Sequence, residues 1–240
     1  MASWVREELL ACAIARLIGD AAHVAVGAAS PIPAAACALL RAQGRALRFS
    51  LLHKRAGNPF TEGSRELFDL AGQGRIDVFF LGGAQIDGAA NVNMVQAGEH
   101  RLPGSFGSAF MYFAARRTIL FREEHSLRVL VPKVEFISAP GSSPPEVWRR
   151  GGPQALLTGK ALFGWQPASR RFRLESLHPG HSAAEVREHT GFDYDTPESV
   201  SLTPAPSAEE LALLRGPVAR EIAATYPEFA RRLWASGAAA

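Results

Sequence analysis

Ile76-Asp-Val-Phe-Phe-Leu81 runs directly into Gly82-Gly-Ala-Gln-Ile-Asp-Gly-Ala-Ala-Asn-Val-Asn93. The first stretch is an apolar run of strand length, which is typical of a strand covered on both faces of a parallel sheet. The second stretch places glycines and amides directly after that strand. Because open α/β sheets bind ligands beyond the carboxyl ends of their strands, this junction predicts both the fold class and the position of a site.

The segments before this junction alternate between strand and helix. Strands are predicted at His23–Val26 and Leu47–Leu52, and helices at about residues 33–43 and 64–71. With the strand that ends at Leu81, the order is βαβαβ. This order indicates an α/β fold, with an open, mostly parallel sheet and helices on both of its faces.

The second half of the sequence predicts a mixed sheet edge and a helical C-terminal tail. The candidate strands are Arg117–Phe121, Leu127–Val131, Val134–Ile137, Ala161–Trp165 and Arg171–Leu177. The last two strands flank a short turn and form a predicted hairpin. We expect residues 1–240 to form a single domain.

The composition predicts a soluble globular protein. No uninterrupted apolar window in the 240-residue sequence approaches the length of roughly 18 residues that a membrane span needs. Arg6, Glu7 and Glu8 interrupt the first apolar segment, unlike a secretory signal, so we expect a cytoplasmic protein. Cys12 and Cys37 lie among alanines and leucines, which favours buried small side chains over a disulfide framework or a zinc cluster.

The charge pattern argues against nucleic acid as a partner, and the lack of a long apolar window argues against a membrane. The formal net charge is +3, and the basic residues are scattered in pairs such as Arg116-Arg117 and Arg170-Arg171. The histidines are dispersed, and His178 and His181 bracket a Pro-Gly turn, so no metal site is predicted. The sequence contains no G-x-S-x-G motif, which argues against a hydrolase triad. The G-x-G-x-x-G motif is missing after the first strand, which argues against a dinucleotide site.

The loop after Leu81 contains the first candidate binding residues. Gly82 and Gly83 would let the backbone approach a ligand closely. The side chains that offer donors and acceptors are those of Gln85, Asp87, Asn91 and Asn93. The same residues fit a structural turn in which Asn and Asp cap their own backbone, and the sequence leaves both interpretations open.

A second glycine turn, Leu102-Pro-Gly-Ser-Phe-Gly-Ser108, precedes a predicted helix at about residues 105–115. The N–H groups at the start of that helix would suit a thioester oxyanion or a phosphate. The candidate residues are Gly104, Ser105, Phe106, Gly107 and Ser108. An ordinary helix cap is the alternative interpretation of this turn.

Four motifs, in this order along the chain, resemble the β subunits of class I CoA-transferases. They are Gly82-Gly-Ala-Gln-Ile-Asp-Gly-x-x-Asn-x-Asn93, Leu102-Pro-Gly-Ser-x-Gly107, Val134-Glu-Phe-Ile-Ser-x-Pro-Gly141 and Ser176-Leu-His-Pro-Gly180. The chain is most similar to the glutaconate CoA-transferase type and to the related β subunit of the steroid ring-opening CoA hydrolase. The resemblance extends from a predicted first helix, at about residues 3–19, to a predicted helix near Glu209.

The resemblance implies an open α/β fold and an active site shared with an obligate α subunit in a hetero-oligomer. It also implies an acyl-CoA thioester as substrate, with no permanently bound cofactor. In such transferases a β-subunit glutamate at the end of the second strand attacks the thioester, and N–H groups of the glycine turn stabilise the oxyanion.

The chain departs from this family pattern at the end of its second strand. There it has Leu51 or Leu52 where the glutamate would stand, and neither side chain can form an acyl anhydride. A shifted alignment would bring Glu62 to the position, whereas the steroid hydrolase type implies that the partner subunit supplies the reactive carboxylate. Phe106 also interrupts the usual run of glycines and would narrow the substrate channel.

Three hypotheses therefore remain. In the first, the chain is the β subunit of an enzyme acting on CoA thioesters, by CoA transfer or by hydrolysis. In the second, it is a catalytically silent subunit that supports an α subunit. In the third, it is a free-standing module that binds an anion or a nucleotide. The acyl group is not determined by the sequence.

Overall fold

The computed structural model describes residues 3–52, 60 and 62–234. The chain divides into two compact units, Met1–Ser64 with Pro204–Ala240, and Arg65–Thr203. The helices are α1 (Arg6–Ile18), α2 (Pro31–Ala42), α3 (Ser64–Gly72), α4 (Ser108–Ala114), α5 (Ala183–Glu188), α6 (Ala208–Leu213), α7 (Ala219–Ala223) and α8 (Pro227–Trp234), with a π-helical turn at Leu214–Val218. The longer strands are β1 (His23–Val26), β2 (Arg48–Leu51), β3 (Val78–Leu81), β8 (Arg117–Arg122), β9 (Pro153–Thr158), β10 (Ala161–Gln166) and β11 (Arg171–Leu177). The two-residue strands are β4 (Gln85–Ile86), β5 (Val92–Asn93), β6 (Gln96–Ala97), β7 (His100–Arg101) and β12 (Ser201–Leu202).

The first unit combines a parallel strand pair with packed helices. β1 pairs in parallel with β2, with His23 beside Arg48 and Val26 beside Leu51. α1 packs on α2, and both helices have long buried faces rich in alanine and leucine. Small side chains let the two helix backbones approach closely, and the buried thiols of Cys12 and Cys37 occupy this interior as predicted.

Arginine–glutamate pairs attach the helical tail to α1 and α2 within the first unit. Glu8, a buried residue of α1, accepts two hydrogen bonds from Arg215, Nε to Oε1 at 2.7 Å and Nη2 to Oε2 at 2.8 Å. This two-point geometry is the strong form of the arginine–carboxylate contact. Arg16 and Arg41 make further ion pairs to tail glutamates.

The strands of the second unit lie in the order β12-β11-β10-β9-β8-β3. β8 runs parallel to both β3 and β9, and β11 runs parallel to β12. β10 is antiparallel to its two neighbours, β9 and β11. The α/β class, the mostly parallel pairing, the mixed edge and the helical tail are therefore confirmed. The single domain over residues 1–240 stays a prediction.

Two of the predicted strands are wrong, and one of the longer strands was missed. Residues 127–131 form a turn that pairs only at Leu130 with Ile86, and residues 134–137 form no strand. Leu127, Phe136 and Ile137 are exposed, so their apolar character did not report burial in a sheet. The missed strand is β9, which begins at a proline directly after Gly151 and Gly152.

Two buried histidines share a hydrogen-bond network in the second unit. His125 Nδ1 lies 2.8 Å from Thr158 Oγ1, and its Nε2 lies 3.0 Å from Thr190 Oγ1. His178 Nε2 lies 2.9 Å from the Thr158 carbonyl oxygen, and its Nδ1 lies 2.8 Å from Thr203 Oγ1. Burial lowers the pKa of each imidazole to about 4, so both rings are neutral structural groups.

The described residues contain no helix long and apolar enough to cross a membrane.

These two histidines predict a loss of stability in acid. The unfolded chain, with histidine pKa values near 6.5, binds protons that the folded chain excludes down to about pH 4. The free energy of unfolding therefore falls as the pH drops from 6.5 to 4, by up to about 3 kcal/mol for each histidine. Urea unfolding at pH 7 and pH 5 measures this slope.

The variant His178→Gln should flatten the pH dependence. The surface variant His100→Gln should leave it as in the parent protein, because His100 is exposed. An equal slope in all three proteins would contradict the assignment to the buried rings.

Candidate functional site

The predicted ligand loop lies directly after the carboxyl end of β3 and folds back on itself. β4 and β5 pair in antiparallel fashion, with Gln85 opposite Asn93 and Ile86 opposite Val92. The N–H of Ala84 donates to the Asn93 carbonyl at 2.9 Å. The loop is therefore a closed hairpin whose position is set by the end of a buried strand.

A carboxamide network fills the base of this hairpin. Asn93 Nδ2 donates to Gln85 Oε1 at 2.8 Å and to the Gln96 carbonyl at 2.5 Å, and Asn93 Oδ1 accepts from the Val95 and Gln96 N–H groups. Gln85 Nε2 donates in turn to Glu135 Oε1 at 2.6 Å. The Gln85 and Asn93 side chains are buried, so each hydrogen bond replaces one that water would otherwise supply.

Asp87 and Asn91 connect the hairpin to the segment around residues 134–141. Asp87 Oδ1 accepts from the Ala89 and Asn91 N–H groups at 3.0 Å, and Oδ2 accepts from Asn91 Nδ2 and from the Val134 N–H. Asn91 Oδ1 accepts from the Gly141 N–H at 3.0 Å. These contacts match the structural-turn interpretation of the sequence, and ligand binding by the four polar side chains stays a prediction.

Gly82 and Gly83 leave room for neighbouring protein atoms. A Cβ at Gly82 would lie 2.7 Å from the Phe121 carbonyl oxygen. A Cβ at Gly83 would lie 2.4 Å from Val92 Cγ1 and 2.8 Å from the Asn93 carbonyl oxygen. All three distances are below normal contact, so the close packing around the two residues itself requires glycine here.

The second glycine turn has two residues in the left-handed region. Gly104 has φ +97° and Phe106 has φ +46°, and the helix α4 begins at Ser108, three residues later than predicted. A Cβ at Gly107 would lie 2.0 Å from the Phe68 ring, so that ring fills the space that the glycine leaves. Phe106 itself is 84% exposed. Ser105 and Ser108 are partly exposed in this turn.

A cleft of about 580 Å³ opens beside the hairpin. Its polar lining includes Gln85, Glu135, His100 and Arg128, and its apolar lining includes Leu102. A hydrogen bond from the Gly98 N–H and a second from the Gln85 amide hold the pKa of Glu135 below its usual range. The volume is of the size that small-molecule sites have.

Sequence reasoning did not single out Glu135 as a site residue. It lies within the Val134–Gly141 motif, but only the folded hairpin brings it to the Gln85 amide. The only sequence signal for Glu135 as a site residue was its position as a single acidic residue between Val134 and Phe136. The described residues contain no group of three or more His, Cys, Asp or Glu side chains that could hold a metal ion.

The position predicted for the family glutamate, at the end of β2, lies in the first unit. Leu51 ends β2 and is buried, and the Leu52 N–H donates to the Val26 carbonyl at 3.1 Å. Glu62 is exposed in the bend before α3. The strand end therefore presents apolar side chains, as the sequence predicts.

Comparison with protein families gives one match that covers more than half of the chain. The Coenzyme A transferase model matches residues 46–189. This range includes β2, the hairpin after β3, the second glycine turn and the Val134–Gly141 motif. The match therefore includes all of the candidate site residues.

Three relatives share this similarity. The chain is 35% identical over 162 residues to a subunit of 3-oxoadipate CoA-transferase from Pseudomonas knackmussii, covering 63% of this chain and 62% of that protein. It is 31% identical over 150 residues to a subunit of glutaconate CoA-transferase from Acidaminococcus fermentans, covering 58% and 55%. It is 28% identical over 163 residues to the cholesterol ring-cleaving hydrolase IpdB subunit of Rhodococcus jostii, covering 63% and 62%. The chain thus spans less than two thirds of the length of these relatives.

Solved structures match over a longer range. The decarboxylase AibA/AibB superposes with a TM-score of 0.77 at 26% identity, covering 96% of this chain and 99% of that one. Rhodococcus jostii IpdAB superposes with a TM-score of 0.79 at 23% identity, covering 90% and 94%. The second likeness shows the fold alone.

The Asn93 carboxamide should be the most sensitive point of the hairpin. Asn93→Ala would leave the Val95 and Gln96 N–H groups without their side-chain acceptor and would remove one of the two donors to Gln85 Oε1. We expect the free energy of unfolding to fall by about 2–4 kcal/mol, measured by chemical denaturation.

The matched control is Gln96→Ala, which removes one exposed hydrogen bond to the Gly98 carbonyl oxygen. We expect it to change stability by less than about 0.5 kcal/mol. Equal losses in the two variants would show that the Asn93 network does not hold the hairpin.

Proposed function

The chain belongs to the Coenzyme A transferase family, and we propose that it is the β subunit of a heteromeric CoA-transferase-like enzyme that acts on acyl-CoA thioesters. The active form would be a hetero-oligomer with an α-like subunit that contributes to the active site. Two relatives whose names identify them as subunits of CoA-transferases support this assignment. CoA would be a substrate carrier and not a resident group.

The main structural support is the internal hydrogen bonding of the loop that follows β3. Asp87 and Gln85 accept from backbone N–H groups of Ala89 and Glu135, and the N–H of Ala84, directly after Gly83, donates to the Asn93 carbonyl. Backbone N–H groups that are fixed before substrate binds stabilise a developing oxyanion at little reorganisation cost. In the proposed reaction the thioester carbonyl would meet the backbone of this loop.

The end of β2 favours hydrolysis as the second candidate function. Leu51 and Leu52 offer no carboxylate for an acyl-enzyme intermediate on this chain. The IpdB subunit is a relative whose name describes a ring-cleaving hydrolase. In this alternative the partner subunit supplies the reactive carboxylate and water attacks the thioester or β-keto carbonyl. A catalytically silent supporting subunit would share the same partner.

We expect this chain to co-purify with an α-like subunit when the two are expressed together. Size-exclusion chromatography with both chains in one peak would support the heteromeric assignment. A free-standing binding module would elute alone at every ratio of the two chains. CoA release from a panel of acyl-CoA esters then separates an active complex from a silent one.

The complex should form no covalent acyl or CoA adduct on this chain. Leu51 and Leu52 cannot act as nucleophiles, so borohydride or hydroxylamine trapping during turnover should leave its mass unchanged. Mass spectrometry of both chains after trapping makes the measurement. An adduct on Glu62 would overturn this expectation and place the nucleophile on the present chain.

A further inference from the structure

A second cavity, with a volume of about 590 Å³, opens at the tip of the hairpin that β4 and β5 form. The residues that line it come from four segments of the second unit: 87–91, 132–133, 170–171 and 191–193. None of these residues lines the cleft that contains Gln85 and Glu135. This tip cavity is therefore a separate feature of the second unit.

Close backbone packing holds the walls of the tip cavity together. A Cβ built on Gly88 would lie 3.0 Å from Phe192 Cβ, and one built on Gly191 would lie 2.5 Å from the Leu130 carbonyl oxygen. The Gly191 N–H donates to that same carbonyl at 2.8 Å. Contacts within the chain thus fix these segments without a ligand, and most small-molecule sites are formed in advance in this way.

Three cationic side chains, those of Lys133, Arg170 and Arg171, line the tip cavity, and all three residues are exposed. Lys133 and Arg170 have no side-chain hydrogen bond or ion pair within the described part of the chain. Arg171 has one carboxylate partner, with Nε 3.2 Å from Asp195 Oδ1. Two of the three positive charges are therefore available to an anion from solution.

Two carboxylates also line the tip cavity, but both are engaged by other groups. Asp87 is 3% exposed, and its oxygens accept the hydrogen bonds from the hairpin and from Val134 that are described above. The Asp193 side chain is 90% exposed and forms an ion pair with Arg187, Nη1 to Oδ1 at 3.7 Å. The accessible charge that remains at the tip cavity is positive.

The positions of the cations favour a ligand with more than one anionic group. Arg170 and Arg171 lie at the start of β11, whereas Lys133 lies in the loop after residue 131, so one small anion would meet only part of the set. Guanidinium and ammonium groups are the usual partners of phosphate oxygens. Pro132 and Ala89 add exposed apolar surface to the lining, which suits an organic portion of the ligand.

We propose that the tip cavity is a second ligand site, which binds the diphosphate group of a free nucleotide. Lys133 and Arg170 contact the phosphate oxygens from two sides, and the apolar wall contacts the nucleoside. Coenzyme A carries a diphosphate too, so the experiment has to distinguish a free nucleotide from the substrate carrier. The site goes beyond the proposed function and requires no turnover.

Calorimetric titration of the full chain with ADP tests the proposal, with adenosine as the probe that lacks phosphate. We expect ADP to bind at one site per chain and adenosine to bind at least 10-fold more weakly, by about the strength of one charged hydrogen bond. The ADP affinity should fall as the salt concentration rises, because the cations are exposed. Absence of ADP binding at millimolar concentration, or equal binding of adenosine, would overturn the proposal.

Two variants assign the binding to this cavity. Lys133→Met and Arg170→Gly should each lower the ADP association constant by about 10- to 100-fold. Arg170 has φ +52°, a conformation that glycine adopts without strain, so Arg170→Gly removes the charge and should leave the thermal midpoint of unfolding unchanged or higher. A loss of ADP binding in this variant then cannot come from unfolding.

The matched control is Arg116→Met, which removes an exposed positive charge that does not line the tip cavity. It should change the ADP association constant by less than about threefold, since salt screens exposed charges that do not contact the ligand. Equal losses in Arg116→Met and Lys133→Met would mean that ADP responds only to the net charge of the chain, and would refute the site.

A titration of ADP in the presence of saturating CoA separates the two sources of diphosphate. A second site predicts that the ADP affinity changes by less than about threefold, because the two ligands do not share cations. Displacement of ADP by CoA would assign the cavity to the phosphates of CoA and contradict the proposal. If the complex with the α-like subunit releases no CoA from thioesters, the proposed function fails, whereas ADP binding that depends on Lys133 still supports the tip cavity.

Discussion

The buried carboxamide of Asn93 holds the candidate site of the second unit together. It is fully buried, and each of its polar atoms has partners inside the chain. A buried amide that lost one partner would carry the desolvation cost with nothing to offset it. The position of Gln85, and through Gln85 that of Glu135, follows from this requirement. The N–H of Ala84, directly after the two glycines, donates to the backbone carbonyl of Asn93 at 2.9 Å.

This network changes how the polar residues of the loop are understood. Side chains that could have contacted a ligand directly, such as Asp87 and Asn91, bind the backbone of neighbouring segments. These two side chains therefore connect the loop to the segment around residues 134–141, and the N–H groups that donate to them are already occupied. Arg122 contrasts with them, because its buried Nε has no partner in the described part of the chain.

Most strands of the sheet were predictable because their apolar runs are short and bounded by glycine or proline. β3 is the example in which the burial of every residue leaves a continuous apolar signal, directly before Gly82. The wrongly predicted strand at residues 134–137 has a similar composition. Its Glu135 N–H donates to a side-chain oxygen of Gln85, and Phe136 is exposed, so neither strand pairing nor burial caused its apolar pattern. Sequence composition therefore does not distinguish an apolar run that forms a buried strand from one that lies in an exposed loop.

Three features could be deduced from residue order alone: the α/β class, the place of the glycine loop after β3, and the lack of a carboxylate at Leu51 and Leu52. Each is a property of local pattern or of residue identity. Which polar groups already have partners became visible only in the folded chain. Folding placed Glu135 at the Gln85 amide and Arg122 across Gly82, over separations of 50 and 40 residues in the chain. A hydrogen-bond partner is chosen by its position in space, and residue order does not encode that position locally.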